Sequence, residues 1–168
     1  MEANQSAVAE AAGILRGGGL VAVPTETVYG LAADASNADA VANIYRIKGR
    51  PDFNPLIVHV PSIEAARELA TFDDRAIMLA DAFWPGPLTL VLPLREHAKV
   101  AKAVSAGLST IAIRCPAHPV MRVLLSKSGL FLAAPSANKS GHISPTRAEH
   151  IANSLGDDAP MILDGGPC

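Results

Sequence analysis

Apolar residues recur along the chain at two different spacings, and these predict alternating strands and helices. Short apolar runs bounded by glycine, proline or polar residues are typical of buried strands. They predict strands at 20–23, 56–60, 88–92, 110–114, 130–134 and 161–163. Apolar residues spaced three and four apart predict helices at 6–16, 39–47, 63–70, 74–83, 119–127 and 147–155. This order indicates a mixed α/β fold.

Composition agrees with a single domain spanning residues 1–168. Hydrophobic residues make up 49% of the chain and only 4% is aromatic, so a core can form from aliphatic side chains without disulfide or metal support. No linker, repeat or low-complexity tract marks a boundary. The scarcity of aromatic residues also disfavours nucleic-acid binding by base stacking.

Charge and cysteine content narrow the possible functions. The net charge of −2 argues against a globally basic nucleic-acid binder, although five cations could converge into a local basic cleft: Lys48, Arg50, Lys139, Arg147 and Arg114. The two cysteines and five histidines show no metal-binding spacing, so no protein metal site is expected. No signal peptide or membrane-spanning run is recognised, which makes the cytoplasm the expected compartment.

Two cations lie in the stretch Lys48-Gly-Arg-Pro-Asp-Phe-Asn-Pro55, directly before a predicted strand. Gly49 and Pro51 should end the preceding helix, so Lys48 and Arg50 are expected on a loop. Arginine offers a planar fork of donors and lysine a mobile charge, a combination suited to phosphate. The alternative is an ordinary solvated turn.

A second polar stretch, Ser136-Ala-Asn-Lys-Ser-Gly-His-Ile-Ser-Pro-Thr146, follows the predicted strand at 130–134. Ligands often bind beyond strand ends in open α/β sheets, where hydroxyl groups can contact phosphate or ribose. The alternative is a plain connection in which Ser144 or Thr146 caps the next helix. Thr146 and Glu149 fit a capping box.

The third stretch is Pro24-Thr-Glu-Thr-Val-Tyr-Gly-Leu31. With all three stretches in this order, nearly the whole chain resembles the YrdC-like domain of the threonylcarbamoyl-adenylate synthases. The resemblance implies a twisted, open mixed sheet flanked by helices, with a concave basic cleft. It also implies that L-threonine, bicarbonate and ATP, with Mg²⁺, give threonylcarbamoyl-AMP and pyrophosphate. This intermediate serves the N6-threonylcarbamoyladenosine modification of tRNA at A37, through downstream tRNA-modifying transferases.

The resemblance also implies roles for individual residues. Lys48 and Arg50 would be catalytic, because they would neutralise the phosphates and the departing pyrophosphate. The threonine site would contain Thr27, His59, Arg114 and, through its backbone, Ala134. ATP would contact Lys48, Arg50, Asn54, Thr110, Ser136 and Ser144.

Several alternatives remain open for single residues. Strand alternation places Thr110 and Arg114 on one face, as a shared site requires. Without the family, Arg114 would be read as a surface salt bridge and His59 as a core histidine bonded to a backbone carbonyl. Glu26 would either orient the threonine turn or face solvent.

Two other functions compete with the synthase. One is a module that binds double-stranded RNA or tRNA without catalysis, and the other is a carbamoyl-handling accessory domain. In the resembled family the chain continues beyond the Gly-Gly-Pro-Cys turn into segments that complete the site. Since this sequence ends at Cys168, we expect a site built from residues 1–168 to be incompletely closed.

Overall fold

Seven strands form one mixed sheet with helices on both of its faces in the computed structural model, which describes residues 1–168. The strands are β1 (Val21–Pro24), β2 (Tyr29–Asp34), β3 (Ile57–His59), β4 (Leu90–Pro93), β5 (Thr110–Arg114), β6 (Leu132–Ala133) and β7 (Met161–Ile162). The α-helices are α1 (Gln5–Arg16), α2 (Ala38–Lys48), α3 (Ile63–Leu69), α4 (Asp74–Phe83), α5 (Pro119–Ser128) and α6 (Ala148–Leu155). Short 3₁₀ helices occupy Lys102–Ser105 and Gly156–Asp158.

The strand order across the sheet is β4-β5-β3-β6-β2-β1-β7. β3 runs parallel to β5 and β1 runs parallel to β7, whereas the other neighbours are antiparallel. The expected open mixed sheet flanked by helices is therefore confirmed. None of the helices is both long enough and apolar enough to cross a bilayer.

One strand and one helix cap differ from the expectations. The sequence pattern predicts no strand at β2, whose Gly30 and two alanines have low strand propensity, yet β2 forms a hairpin with β1. The expected Thr146–Glu149 capping box is wrong. Arg147 occupies the N-cap of α6 without a side-chain cap bond, and the Thr146 N–H instead contacts His150 Nδ1 at 3.4 Å.

Alternation along the strands feeds two separate hydrophobic cores. Val21 and Val23 point into a core shared with α1 and α5, whereas Ala22 points into a larger core that contains residues of α2, α3, α4 and α6. Each strand residue thus joins one core or the other according to its position in the pleat.

The α1/α5 side of the sheet is covered over only part of its width. Leu132 of β6 lies in the α1/α5 core, and its partner across the ladder is His59. On the same face beyond β6, Ile57 and Ala112 remain partly exposed and Val91 is 66% exposed. The face over β3, β5 and β4 is therefore left open.

The α1/α5 core supplies a test of this packing. Leu124 is fully buried in α5, whereas Val123 on the same helix is 44% exposed. We expect Leu124→Ala to lower the free energy of unfolding by about 2–5 kcal/mol, because it leaves a cavity. Val123→Ala should change it by no more than about 0.5 kcal/mol. Urea unfolding of both variants measures the difference, and equal losses would contradict this packing.

Candidate functional site

Polar side chains collect around the open part of the sheet face. His59 and Arg114 are the last residues of the parallel strands β3 and β5 and pair with each other in the ladder. Ligands of open α/β sheets bind beyond such carboxyl ends. Three polar segments lie near these strand ends: 25–28, 49–55 and 136–146. Thr27 contacts Arg114, and Lys48, directly before 49–55, contacts Ser136.

Lys48 connects the two polar stretches that the sequence predicted to act together. Its ammonium donates to the carbonyl of Ser136 at 2.6 Å and to that of Asn138. In return, the N–H of Ser140 donates to the Lys48 carbonyl at 2.8 Å. The expectation that Lys48 is displayed on a loop is wrong. It is the final residue of α2 and only 2% exposed, since the helix ends one residue later at Gly49, whose φ is 58°.

The Lys48 ammonium has no carboxylate within ion-pair distance. Burial, together with the nearby positive charge of Arg50, lowers the pKa of Lys48 to about 8. An ammonium has three N–H donors, and carbonyls occupy two of them. A bound anion would supply the missing negative charge and accept the third N–H.

Arg50 braces the loop that contains Asn54. Its Nη2 donates to the Asn54 side-chain oxygen at 2.7 Å and to the Pro55 carbonyl at 2.9 Å, while Nε donates to the Asn54 carbonyl at 3.0 Å. The hydroxyl of Tyr45 lies 3.0 Å from the same Asn54 carbonyl and 2.9 Å from that of Ala103. Arg50 and Asn54, both predicted to contact ATP, therefore form one braced unit.

Arg114 is buried, so its reading as a surface salt bridge is wrong. Its Nε donates to the Gly86 carbonyl at 3.3 Å and its Nη1 to Thr27 Oγ1 at 3.2 Å. Nη2 forms an ion pair with Glu26 Oε1 at 3.0 Å, and this buried nitrogen has no other polar partner. Thr27 and Arg114, both predicted threonine contacts, are therefore adjacent.

Glu26 is not the solvent-facing residue that one alternative described. Its two carboxylate oxygens accept from the N–H groups of Ala117 and His118 at 3.1 and 3.3 Å. Burial by itself raises the pKa of Glu26, but backbone N–H donors and Arg114 outweigh it, and the net pKa lies below the ordinary value. Glu26 therefore stays ionised beside Arg114.

His59 is 2% exposed, and its buried Nδ1 has no hydrogen-bond partner. Burial and the positive charge of Arg114 lower the pKa of His59 to about 4, so the imidazole is neutral at pH 7. The alternative of a core histidine satisfied by a backbone carbonyl does not describe this nitrogen.

Thr110 and Arg114 mark opposite ends of β5, about 13 Å apart at the usual rise per residue. Ile57 pairs with Ala112, so the parallel register places Thr110 beside Pro55, near the Arg50 loop. Arg114 lies at the His59 end. The predicted nucleotide and threonine contacts thus lie toward different ends of one strand.

The remaining predicted contacts come from the chain that follows β6. Ala134 uses its N–H to donate to the Ile57 carbonyl at 3.0 Å, which leaves its carbonyl as the group able to face a ligand. Ser136 is partly buried beside Lys48, and Ser144 is exposed. Ser144 precedes Pro145, whose carbonyl accepts from the Tyr29 N–H at 2.8 Å.

Asn138 is the residue that sequence reasoning missed. It is buried, its Nδ2 donates to the carbonyls of Lys139 and His142 at 2.8 Å, and its buried Oδ1 has no partner. An amide two residues after Ser136 in a polar stretch was a usable signal.

The possible convergence of five cations is met by only part of the set. The Lys139 ammonium contacts the Ile47 carbonyl at 2.7 Å and the Asp158 carboxylate at 3.1 Å, so its charge is already paired. Arg147 lines a separate surface depression of about 240 Å³ together with Glu149 and Asp164. Lys48, Arg50 and Arg114 are therefore the cations at the candidate site whose charge Asp158 does not already pair.

Comparison with known proteins gives consistent matches over the whole domain. The Sua5/YciO/YrdC family model, described as "Telomere recombination", matches residues 13–168. Threonylcarbamoyl-AMP synthase of Bacillus subtilis is 50% identical over 168 residues, which cover 99% of this chain and 48% of that protein. The synthase of Halorhodospira halophila is 46% identical, with 94% of this chain and 82% of that protein covered.

A solved structure matches equally well. The crystal structure of Pyrococcus abyssi Sua5 complexed with L-threonine superposes with a TM-score of 0.91 at 49% identity. The superposition covers 95% of this chain and 47% of that one. The chain thus spans about half the length of the first curated relatives it matches.

The neutral, buried state of His59 predicts a loss of stability in acid. The ordinary histidine pKa is 6.5 and that of His59 in the fold is about 4, so between these values the unfolded chain binds a proton that the folded chain does not. The contribution of neutral His59 to the free energy of unfolding is therefore fully present above pH 6.5. It is lost as the pH drops toward 4, by up to about 3 kcal/mol.

We expect His59→Gln to reduce this loss between pH 7 and pH 4.5 in urea unfolding. Exposed His97 provides the control, since His97→Gln should follow the unmodified protein. If His59→Gln showed the full acid loss, the burial of a neutral imidazole would not be its cause.

Proposed function

Because the chain belongs to the Sua5/YciO/YrdC family, we propose that it carries out threonylcarbamoyl-AMP synthesis from L-threonine, bicarbonate and ATP. The names of relatives at 46–50% identity support this, as does the L-threonine bound to the Sua5 structure. The reaction is a nucleotidyl transfer. We place it in the cytoplasm, where its product would pass to transferases that modify tRNA A37.

The chemistry has two steps and needs no protein nucleophile. The neutral amine of threonine attacks the bicarbonate carbon, and water leaves to give a carbamate. A carbamate oxygen then attacks the α-phosphorus of ATP, the bond to the β-phosphate oxygen breaks, and pyrophosphate departs. The protein must therefore position several anions and neutralise the charge on the leaving group.

The observation that carries the proposal is an unsatisfied buried nitrogen beside a buried guanidinium at the adjacent ladder position. His59 Nδ1 is buried without a hydrogen-bond partner, and Arg114 Nη2 is buried with only the Glu26 carboxylate beside it. Leaving the His59 nitrogen unpaired costs about 1–3 kcal/mol, and a ligand that pairs with it recovers this cost. Threonine offers a carboxylate for the guanidinium and a hydroxyl for His59 and Thr27, with the Ala134 carbonyl as a further acceptor.

The nucleotide would bind toward the other end of β5. Lys48 and Arg50 would contact the phosphates and stabilise the departing pyrophosphate, which would also compensate the unpaired Lys48 charge. Asn54, Thr110, Ser136 and Ser144 would contact the rest of ATP.

Magnesium would enter with ATP as part of the substrate. No group of three or more His, Cys, Asp or Glu side chains is arranged to hold a metal, and Mg²⁺ in nucleotide sites is commonly bound through phosphates and water.

Direct binding of double-stranded RNA or tRNA has weaker support. The Lys139 charge on which that reading depended is paired with Asp158, and Arg147 lies with two carboxylates. No contact favours the carbamoyl-handling accessory role, which the following assay can separate.

Pyrophosphate release from ATP, measured with and without L-threonine and bicarbonate, tests the proposal. We expect release that needs both co-substrates and falls at least about 100-fold in Arg50→Ala, because phosphate neutralisation and the bracing of Asn54 are lost together. Arg46→Ala is the matched control, since Arg46 is an exposed cation on α2 and its loss should leave the rate within about twofold.

Other results would point elsewhere. ATP turnover that required carbamoyl phosphate and ignored threonine would replace the synthase with the accessory role. If threonine and ATP both failed to bind, the proposed site would be wrong.

A further inference from the structure

We propose that Glu26 is a positioning residue for the amino-acid end of the site, where its carboxylate fixes the Arg114 guanidinium against the N-terminus of α5. The inference rests on the proposed function, because it takes Arg114 as the group that receives the threonine carboxylate.

The carboxylate of Glu26 lies between two sets of donors. On one side Oε1 is 3.0 Å from Arg114 Nη2. On the other side Oε1 accepts from the Ala117 N–H at 3.1 Å and Oε2 accepts from the His118 N–H at 3.3 Å. Glu26 thus links the hairpin turn, the end of β5 and the start of α5 through one charged group.

The start of α5 is well suited to hold a negative charge. The helix has ten residues and His118 is its N-cap, so the N–H groups that Glu26 accepts lie at the positive end of the helix dipole. The backbone donors and Arg114 keep the pKa of Glu26 low despite burial. Glu26 therefore stays ionised, and its backbone donors hold the carboxylate in place beside Arg114.

Three of the five guanidinium N–H groups have partners, which leaves one on Nη1 and one on Nη2 for a ligand. Nε and Nη1 donate to the Gly86 carbonyl and Thr27 Oγ1. Nη2 forms the ion pair with Glu26. The second hydrogens of Nη1 and Nη2 therefore remain for a ligand carboxylate while the guanidinium plane stays fixed.

Only a carboxylate can satisfy every neighbour of Glu26. Glutamine has the same shape, but it has one oxygen and an NH₂ group that can only donate. With the oxygen in the Oε1 position, the NH₂ group faces the His118 N–H. With the oxygen in the Oε2 position, the NH₂ group faces both the Ala117 N–H and Arg114. Glu26→Gln therefore breaks the linkage without removing volume.

The test is calorimetric titration of the whole chain with L-threonine and, separately, with ATP and Mg²⁺. We expect Glu26→Gln to weaken threonine binding about tenfold, the equivalent of about 1.4 kcal/mol, and to leave the ATP affinity within about twofold. Tyr45→Phe is the matched comparison. It removes a buried hydroxyl that contacts the Asn54 carbonyl, so it should weaken ATP binding and spare threonine binding.

A double-mutant cycle shows whether Glu26 acts through Arg114. In an Arg114→Lys background, which keeps the charge but loses the fork, Glu26→Gln should change the threonine affinity by less than about twofold. Full additivity would overturn the inference, and so would equal losses of threonine and ATP affinity, because either result makes Glu26 a general structural residue.

The two proposals can fail separately. Threonine binding by the unmodified chain that Glu26→Gln does not weaken would overturn the role of Glu26 and leave the proposed function intact. If the unmodified chain bound ATP but showed no threonine binding, the amino-acid site and this inference would both fall.

Discussion

The Lys48 ammonium joins the end of α2 to the chain after β6, through carbonyls that lie 88 and 90 residues farther along the sequence. Its hydrogen bonds to the carbonyls of Ser136 and Asn138 are matched by the bond from the Ser140 N–H to the Lys48 carbonyl. Lys139 adds a bond from the other side, to the Ile47 carbonyl. The end of α2 and the chain after β6 therefore meet as one unit, and the proposed nucleotide contacts depend on that unit.

Uneven helix coverage leaves part of one sheet face open. One face of the sheet is covered by a large core, whereas α1 and α5 cover only part of the opposite face. The residues left over β3 and β5 alternate between the large core and the open surface. Ile111 and Ile113 are buried in the core, and Thr110, Ala112 and Arg114 belong to the open face. A functional surface thus arises where the packing of helices stops.

The two buried cations, Arg114 and Lys48, have different kinds of partners. Arg114 has a nearby carboxylate, Glu26, which is itself held by backbone N–H groups. Lys48 has only carbonyl partners. Burial of an ion without an opposite charge is costly, and the lowered pKa of Lys48 reflects that cost. The Lys48 end is therefore suited to a strongly anionic ligand such as a triphosphate, whereas the Arg114 end is suited to a single carboxylate.

Local patterns in the sequence were sufficient for most helices, for the mixed α/β class and for the three polar stretches. Apolar periodicity and glycine or proline at element ends depend on neighbouring residues, which a sequence displays directly. β2 was not predicted because Gly30 and its alanines have low strand propensity. Its pairing with β6 also depends on residues that are distant in the chain. The burial of Lys48, the pairing of Lys139 with Asp158 and the bridge from Glu26 to Arg114 depend on long-range packing in the same way. The sequence does not distinguish a charged side chain that faces water from one that contacts a buried carbonyl. The partner is determined only when the sheet brings remote segments together.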